Sequence, residues 1–158
     1  METIDVSGFG TLSVSIVTIR KPGNSYTCQE KQASLNVQND VLADIAFVKL
    51  DKGYYPDGNA CDYSISSQTE SPIGFLLELK GRDMEHAVEQ LGNTLQRLKD
   101  SRVTALYQEA SVVASGAQKI PTAKWQKLQQ QFFSANRVRL NRYANKGTVL
   151  FSKTIAKK

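Results

Sequence analysis

At 158 residues, 41% hydrophobic and 22% charged, with a net charge of +5, the chain can bury an ordinary core, which excludes a disordered or fibrous class. Its two cysteines have no CxxC or histidine neighbour, which excludes a disulfide framework or a zinc site, and no apolar run approaches 18 residues. We therefore expect one cytoplasmic domain over residues 1–158, without signal peptide, internal repeat or membrane partner.

The first predicted elements are strands. Residues 10–19 alternate apolar and polar side chains, and residues 43–50 form an apolar run, so both are predicted to be strands. Residues 27–41 between them are polar and ambiguous, and Glu30 is the only acid there before Asp40. The segment Tyr55-Pro56-Asp57-Gly58-Asn59 has the composition of a turn.

A β-hairpin is predicted from Cys61-Asp62-Tyr63-Ser64-Ile65 and Gly74-Phe75-Leu76-Leu77-Glu78-Leu79-Lys80-Gly81. The strand period of two places Glu78 and Lys80 on one face and two leucines on the other. Pairing of the two strands would bring Asp62 opposite Glu78. Adjacent carboxylates favour a divalent cation between them, with Lys80 at its edge. The alternative is that these charges form the solvated face of a sheet.

A helix and a strand are predicted to follow. Six apolar side chains recur at spacings of three and four over residues 84–98, with Asp83 as the N-cap. Gln90 and His86 lie on the flank of this stripe, and His86 is interpreted as a surface or boundary residue. Residues 103–114 are rich in apolar side chains and are predicted to be the strand after this crossover helix.

The segments "CDY", "FLLELKG" and "AVEQL" together resemble the core of the PD-(D/E)xK nuclease superfamily, which includes restriction endonucleases and Holliday-junction resolvases. The likeness is greatest to its small bacterial and phage members and covers about residues 44–113. It implies an α/β fold with a restriction-endonuclease-like core, in which a central mixed β-sheet is flanked by helices in the order αβββαβ. It also implies a nuclease that hydrolyses phosphodiester bonds with Mg²⁺ or Mn²⁺.

The resemblance assigns roles to individual residues. Asp62 and Glu78 would bind the metal together with the main-chain carbonyl of Leu79, Lys80 would be the catalytic lysine, and Gln90 would support the site. Mg²⁺ prefers hard oxygen ligands and keeps several waters, so this set suits it. The ion would lower the pKa of a water and neutralise charge on the phosphate. Lys80 would orient or deprotonate the nucleophile, or offset charge on the phosphorane, and these three roles stay open as alternatives.

Alternatives stay open at this stage. Asp57 supplies a literal Pro-Asp dipeptide, although its turn composition favours Asp62 as the first carboxylate. Glu30 would correspond to the extra glutamate that superfamily members often carry on an N-terminal helix. Homodimer formation, endonuclease or exonuclease action, and a setting in phage defence, recombination or repair are equally open. The alternative functions are an inactive or partner-dependent nucleic-acid-binding module on the same fold and a basic structural protein.

The C-terminal third, from about residue 119, is strongly basic. All 15 acidic residues lie at or before Glu109, and the residues beyond it hold ten lysines or arginines. This distribution is typical of a protein that holds a polyanion, so nucleic acid, with DNA favoured, is the expected partner. Trp125, Leu128 and Phe132 have helix spacing, and the two aromatic residues are interpreted as core, with base stacking as the alternative. The predicted phosphate contacts, with a solvated basic surface as the alternative, are Lys119, Arg137, Arg139, Arg142 and Lys146.

Overall fold

The computed structural model describes residues 2–79, 83–113 and 120–156. The strands in these ranges are β1 Thr3–Val6, β2 Gly10–Ser13, β3 Val17–Arg20, β4 Ser25–Glu30, β5 Ala33–Gln38, β6 Ile45–Lys49, β7 Tyr63–Ser67, β8 Ile73–Glu78, β9 Leu106–Val113, β10 Arg139–Tyr143 and β11 Gly147–Leu150. The α-helices are α1 Met84–Asp100, α2 Thr122–Asn136 and α3 Phe151–Thr154.

Six strands form a central sheet in the order β10-β9-β8-β7-β6-β3. Neighbours from β3 to β8 are antiparallel, whereas β8, β9 and β10 are parallel to one another. Parallel neighbours need a crossover connection, which α1 provides between β8 and β9 and α2 between β9 and β10. Strands β1 and β2 form a separate hairpin. The predicted α/β class with a mixed sheet is therefore confirmed.

Hydrophobic clusters cover both faces of the central sheet. In β6, Ala46 and Val48 belong to the cluster that contains the apolar residues of α1 and α2, and Ile45 and Phe47 belong to the opposite cluster. That opposite cluster also contains buried residues of a three-stranded sheet, ordered β11-β5-β4, and Phe151 of α3. The domain is thus compact and has three layers: helices, central sheet and small sheet.

The helix predicted from residue 84 is α1, and all six of its predicted apolar residues are buried. Asp83 accepts a hydrogen bond from the backbone N–H of His86 at 3.1 Å, which confirms it as the N-cap. His86 itself is exposed. In α2, Trp125 and Phe132 are each 5% exposed, so both are core residues, as predicted.

The N-terminal region departs from the prediction. Residues 10–19 form two strands, because the 3-10 turn Val14–Ile16 interrupts them. The ambiguous residues 27–41 fall mostly in the hairpin of β4 and β5, where alternate side chains such as Leu35 are buried against the central sheet. Among the described residues no α-helix precedes β6, so the leading helix of the αβββαβ order is wrong here, and Glu30 ends a strand instead.

The basic third of the chain is built into both sheets. Strand β10 forms one edge of the central sheet, and β11 pairs in parallel with β5 of the small sheet. The side-chain oxygen of Asn145 accepts a hydrogen bond from the N–H of Ser34 at 3.0 Å, across 111 positions of sequence. Within the described ranges, no helix combines the length and the apolar character needed to cross a bilayer.

Gly74 holds β7 and β8 close together. A Cβ at this position would lie 2.1 Å from the carbonyl oxygen of Ile65 and 2.7 Å from the Cα of Ser66. Because backbone atoms cannot move aside cheaply, we expect Gly74→Ala to lower the free energy of unfolding by about 1–3 kcal/mol, measured by urea denaturation. Gly92→Ala in α1 is the matched control: its Cβ would approach no nearer than 3.7 Å to Phe132, and alanine favours helix by about 1 kcal/mol. Equal losses in both variants would contradict the prediction.

Candidate active site

Asp62 and Glu78 come together where β7 begins and β8 ends. Tyr63 pairs with Leu77, so the preceding Asp62 comes opposite Glu78, as the hairpin predicted. Asp62 is 2% exposed and Glu78 is 1% exposed. The two side chains are close enough to hydrogen-bond, and a hydrogen bond between two carboxyl groups needs a proton on one of them.

The surroundings of Asp62 disfavour its charged form. Burial raises the pKa of the Asp62 carboxyl above the ordinary value, hydrogen bonds from the Glu78 side chain and the Leu79 N–H oppose that rise, and the charges of Glu30 and Asp51 add to it. The Leu79 nitrogen lies 2.7 Å from Oδ2 of Asp62. Negative charge is thus concentrated where little water reaches it, and a proton or a cation has to compensate it.

The donor set fits a hard divalent cation. Asp62 and Glu78 present carboxylate oxygens from adjacent strands, and the peptide of Leu79 contacts Asp62 through its N–H. Mg²⁺ usually takes one or two protein carboxylates and keeps several waters. Within the part of the chain that the structure describes, no group of three or more His, Cys, Asp or Glu residues is placed to hold a metal. An ion here would therefore rely on two carboxylates, backbone and water.

Helix α1 fixes the chain just before Asp62. Nε2 of Gln90 donates to the carbonyl oxygen of Ala60 at 3.0 Å, and Oγ1 of Thr94 accepts from the N–H of Cys61 at 2.8 Å. Thr94 also donates to the carbonyl oxygen of Gln90 at 2.7 Å. Gln90 therefore contacts the backbone that positions the carboxylate. Sequence reasoning missed Thr94, since a single threonine within a helix belongs to no recognisable motif.

The other candidate carboxylates have separate partners. Asp57 is exposed and forms an ion pair with Arg97 at 3.2 Å, which ties its turn to α1. Glu30 forms an ion pair with Lys49 at 3.6 Å and is close enough to raise the pKa of Asp62. Lys80 lies outside the described residues.

Cys61 precedes the first carboxylate and is fully buried. Burial raises the pKa of its thiol well above the usual value, and the charges of Glu78 and Asp62 add to that rise. The side chain therefore stays a neutral thiol in the core and is not suited to act as a nucleophile.

Three of the predicted phosphate contacts lie on the surface. Arg137, Arg142 and Lys146 are exposed: Arg137 ends α2, Arg142 lies on β10, and Lys146 lies in the turn between β10 and β11. Lys119 falls outside the described residues. The exposed set is therefore available for contacts with a polyanion.

Arg142 lies in the same row of the sheet as the carboxylates. Val112 pairs with Glu78 on one side and with Arg142 on the other. Residues paired in this way point to the same face, and Arg142 lies over the ring of Trp125, 5.0 Å from its centroid. Two strand spacings amount to about 10 Å, so Arg142 lies about that far from the carboxylate pair. This distance corresponds to one or two phosphate spacings along a nucleic-acid strand.

Arg139 is used inside the fold. Its guanidinium donates to Oε1 of Glu109 at 3.0 Å and to the carbonyl oxygen of Thr154 at 3.2 Å. Glu109 is 1% exposed and also accepts hydrogen bonds at Oε2 from Ser111 at 2.6 Å and Tyr143 at 2.5 Å. The predicted contact of Arg139 with phosphate would require breaking this network. The sequence interpretation did not single out Glu109 as a partner.

No family model matches the chain, and neither does a curated protein or a solved structure. The chemistry of the site is therefore inferred from its geometry.

Proposed function

We propose that the chain is a metal-dependent nuclease of the PD-(D/E)xK type, which hydrolyses phosphodiester bonds in nucleic acid, with DNA favoured. The observation that carries the proposal is the almost fully buried pair of Asp62 and Glu78, which come opposite each other at the ends of paired strands. Adjacent buried carboxylates destabilise a fold, and such pairs concentrate at functional sites. The order β6-β7-β8-α1-β9, three antiparallel strands followed by a helix and a parallel strand, agrees with the restriction-endonuclease-like core that the resemblance implies.

The residues of the site would have distinct roles in metal binding, positioning and proton transfer. Asp62, Glu78 and the carbonyl of Leu79 would hold Mg²⁺ or Mn²⁺, which would supply an acidified water and charge neutralisation at the phosphate. Gln90 and Thr94 would keep Asp62 in place through the backbone of residues 60–61. Lys80 would orient or deprotonate the attacking water, or offset charge on the phosphorane.

The basic third would hold the substrate. Arg142 lies across β9 from the carboxylate pair, and β9 is buried there, so a nucleic-acid strand would run from the carboxylates past the C-terminal end of β9 toward β10. Arginine binds phosphate oxygens through two parallel N–H groups, and stacking on Trp125 limits the conformations that its side chain has to lose. Binding should therefore weaken as salt concentration rises.

A cleavage assay tests the proposal. The substrates are labelled linear duplex, single-stranded and four-way-junction DNA, and RNA, each with Mg²⁺ or Mn²⁺. We expect the wild type to cut at least one of them, Asp62→Asn and Lys80→Ala to cut none while still binding, and the control Lys52→Ala to cut like the wild type. A wild type that binds these substrates and cuts none would overturn the nuclease proposal in favour of a partner-dependent binding module.

Metal binding should strengthen as pH rises, because Asp62 has to lose its proton first. A carboxyl with a raised pKa holds its proton more tightly in the folded state. Without metal, its contribution to the free energy of unfolding therefore falls as pH rises from about 3.8, the ordinary value, through the raised pKa. We expect the increase in melting temperature caused by a fixed Mg²⁺ concentration to grow over that range. Asp62→Asn should lose both the increase in melting temperature with Mg²⁺ and the fall in stability with pH. An increase in melting temperature with Mg²⁺ that does not depend on pH would contradict the prediction.

A further inference from the structure

A groove of about 710 Å³ lies at the edge of the central sheet, between the C-terminal half of α2 and the start of β10. The residues that line it include Gln108, Gln129, Gln130, Phe133, Ser134 and Arg137. Among the described residues that form its walls, none is acidic. The groove therefore combines amide groups, an aromatic ring and positive charge, which suits an anionic ligand with a flat polar ring.

Phe133 and Arg137 are displayed together at the end of α2. The Phe133 side chain is 46% exposed, and the Arg137 guanidinium lies 5.9 Å from the centroid of its ring. The N–H of Arg137 donates to the carbonyl oxygen of Phe133, and Arg137 has left-handed backbone angles, φ 57° and ψ 29°, so the helix end fixes both positions. An aromatic ring beside an arginine can stack a nucleobase and bind its phosphate.

The amides of the groove add hydrogen-bonding capacity at the edge of such a base. Each glutamine side chain offers two N–H donors and a carbonyl acceptor. Gln129 uses Nε2 to donate to the carbonyl oxygen of Leu140 at 2.9 Å, which fixes that wall to β10. Gln130 and Ser134 are exposed on α2 beside the ring of Phe133.

The groove also lies on the expected path of the substrate. Arg137 lies two positions before β10 and Arg142 lies within it, five positions apart, so their Cα atoms are separated by at most about 16 Å. A strand whose phosphate contacts Arg142 would therefore reach Phe133 within a few nucleotides. The two arginines would hold successive parts of one polyanion.

We propose that this groove binds an unstacked nucleotide of the substrate strand, with the base on Phe133 and a phosphate on Arg137, and that the protein therefore selects nucleic acid with a single-stranded segment. The proposal rests on the proposed function and adds the substrate class. Bases inside a duplex are already stacked on both neighbours and have to be flipped out before they can contact a side chain in this way.

Metal-free binding measurements test it, since they need no cleavage. Fluorescence anisotropy of a labelled single-stranded oligonucleotide and of a blunt duplex of equal length is measured for the wild type, Phe133→Ala and Arg137→Gln. We expect Phe133→Ala to weaken single-strand binding about tenfold, because one stacked base is lost, and to change duplex binding little. Arg137→Gln should weaken single-strand binding and reduce the slope against log salt by about 0.7.

Two matched controls should bind like the wild type. Arg102→Gln removes an exposed arginine that also follows a helix with left-handed backbone, φ 64°, and Leu42→Ala truncates a fully exposed apolar side chain, 99% exposed, away from the groove. Folding of every variant is checked by thermal unfolding. The proposal fails if Phe133→Ala and Arg137→Gln leave single-strand binding unchanged, or if they weaken single-strand and duplex binding equally.

A third result also overturns it. If Phe133→Ala changes the sedimentation of the protein alone and leaves oligonucleotide binding intact, the groove is a protein contact. Failure of the nuclease proposal gives a different pattern, in which Asp62→Asn and Lys80→Ala have no effect because the wild type cuts nothing, whatever the groove variants bind.

Discussion

Glu78→Gln is expected to abolish cleavage while leaving the protein at least as stable as the wild type. Glutamine keeps the size of the side chain but cannot supply a charged metal ligand, and a bound ion contributes several kcal/mol to the transition state, so the rate should fall roughly a thousandfold or more. Glutamine can keep the hydrogen bond to Asp62 and removes an ionisable group from a buried position, so the free energy of unfolding should be unchanged or about 1 kcal/mol higher.

Single-turnover cleavage rates and urea unfolding of the same preparation check this result. The combination of lost activity and retained or increased stability is what separates a functional carboxylate from a structural one. If Glu78→Gln loses stability along with activity, Glu78 serves the fold, and the proposed metal site loses its main support.

Glu109→Ala is expected to have the opposite effect on stability, lowering the free energy of unfolding by about 3–5 kcal/mol. Glu109 is 1% exposed and accepts hydrogen bonds from Arg139, Ser111 and Tyr143. Truncation of Glu109 removes the charge that compensates the partly buried arginine and the acceptor of two hydroxyl groups. Removing one partner of a buried ion pair is strongly destabilising, because the other charge stays buried without compensation.

Equilibrium denaturation measures the loss, and two further variants test its cause. Glu109→Gln keeps an oxygen acceptor and should lose less than Glu109→Ala. Combining Glu109→Leu with Arg139→Leu removes both charges and should recover part of the stability. A loss below about 1 kcal/mol for Glu109→Ala would mean that the network does not stabilise the fold.

The hairpin and α1 could be predicted because their signals are local. A period of two placed Asp62 and Glu78 on paired strands, and the three-and-four spacing together with Asp83 defined the helix and its start. Each pattern lies within one continuous segment of the chain. The carboxylate pair therefore followed from local pairing alone.

The remaining features depend on contacts between distant segments. Arg139 looked like a phosphate contact because its partner, Glu109, lies 30 positions earlier in another strand, and only the parallel pairing of β9 with β10 joins them. Thr94 acts on the backbone of Cys61, 33 positions away. Residues 27–41 read as ambiguous because one face of their hairpin is polar, and only packing of the other face on the central sheet makes them strands.

The pairing of β11 with β5 has a consequence for how the chain is made. Segments near Ser34 and Asn145 must meet across a separation of 111 positions, so the small sheet cannot close until β11 has left the ribosome. Closing so long a loop costs entropy before any contact repays it, which predicts slow folding. The N-terminal part of the small sheet therefore becomes complete only together with the basic third, and a chain terminated before β11 would lack one strand of the layer that covers the central sheet.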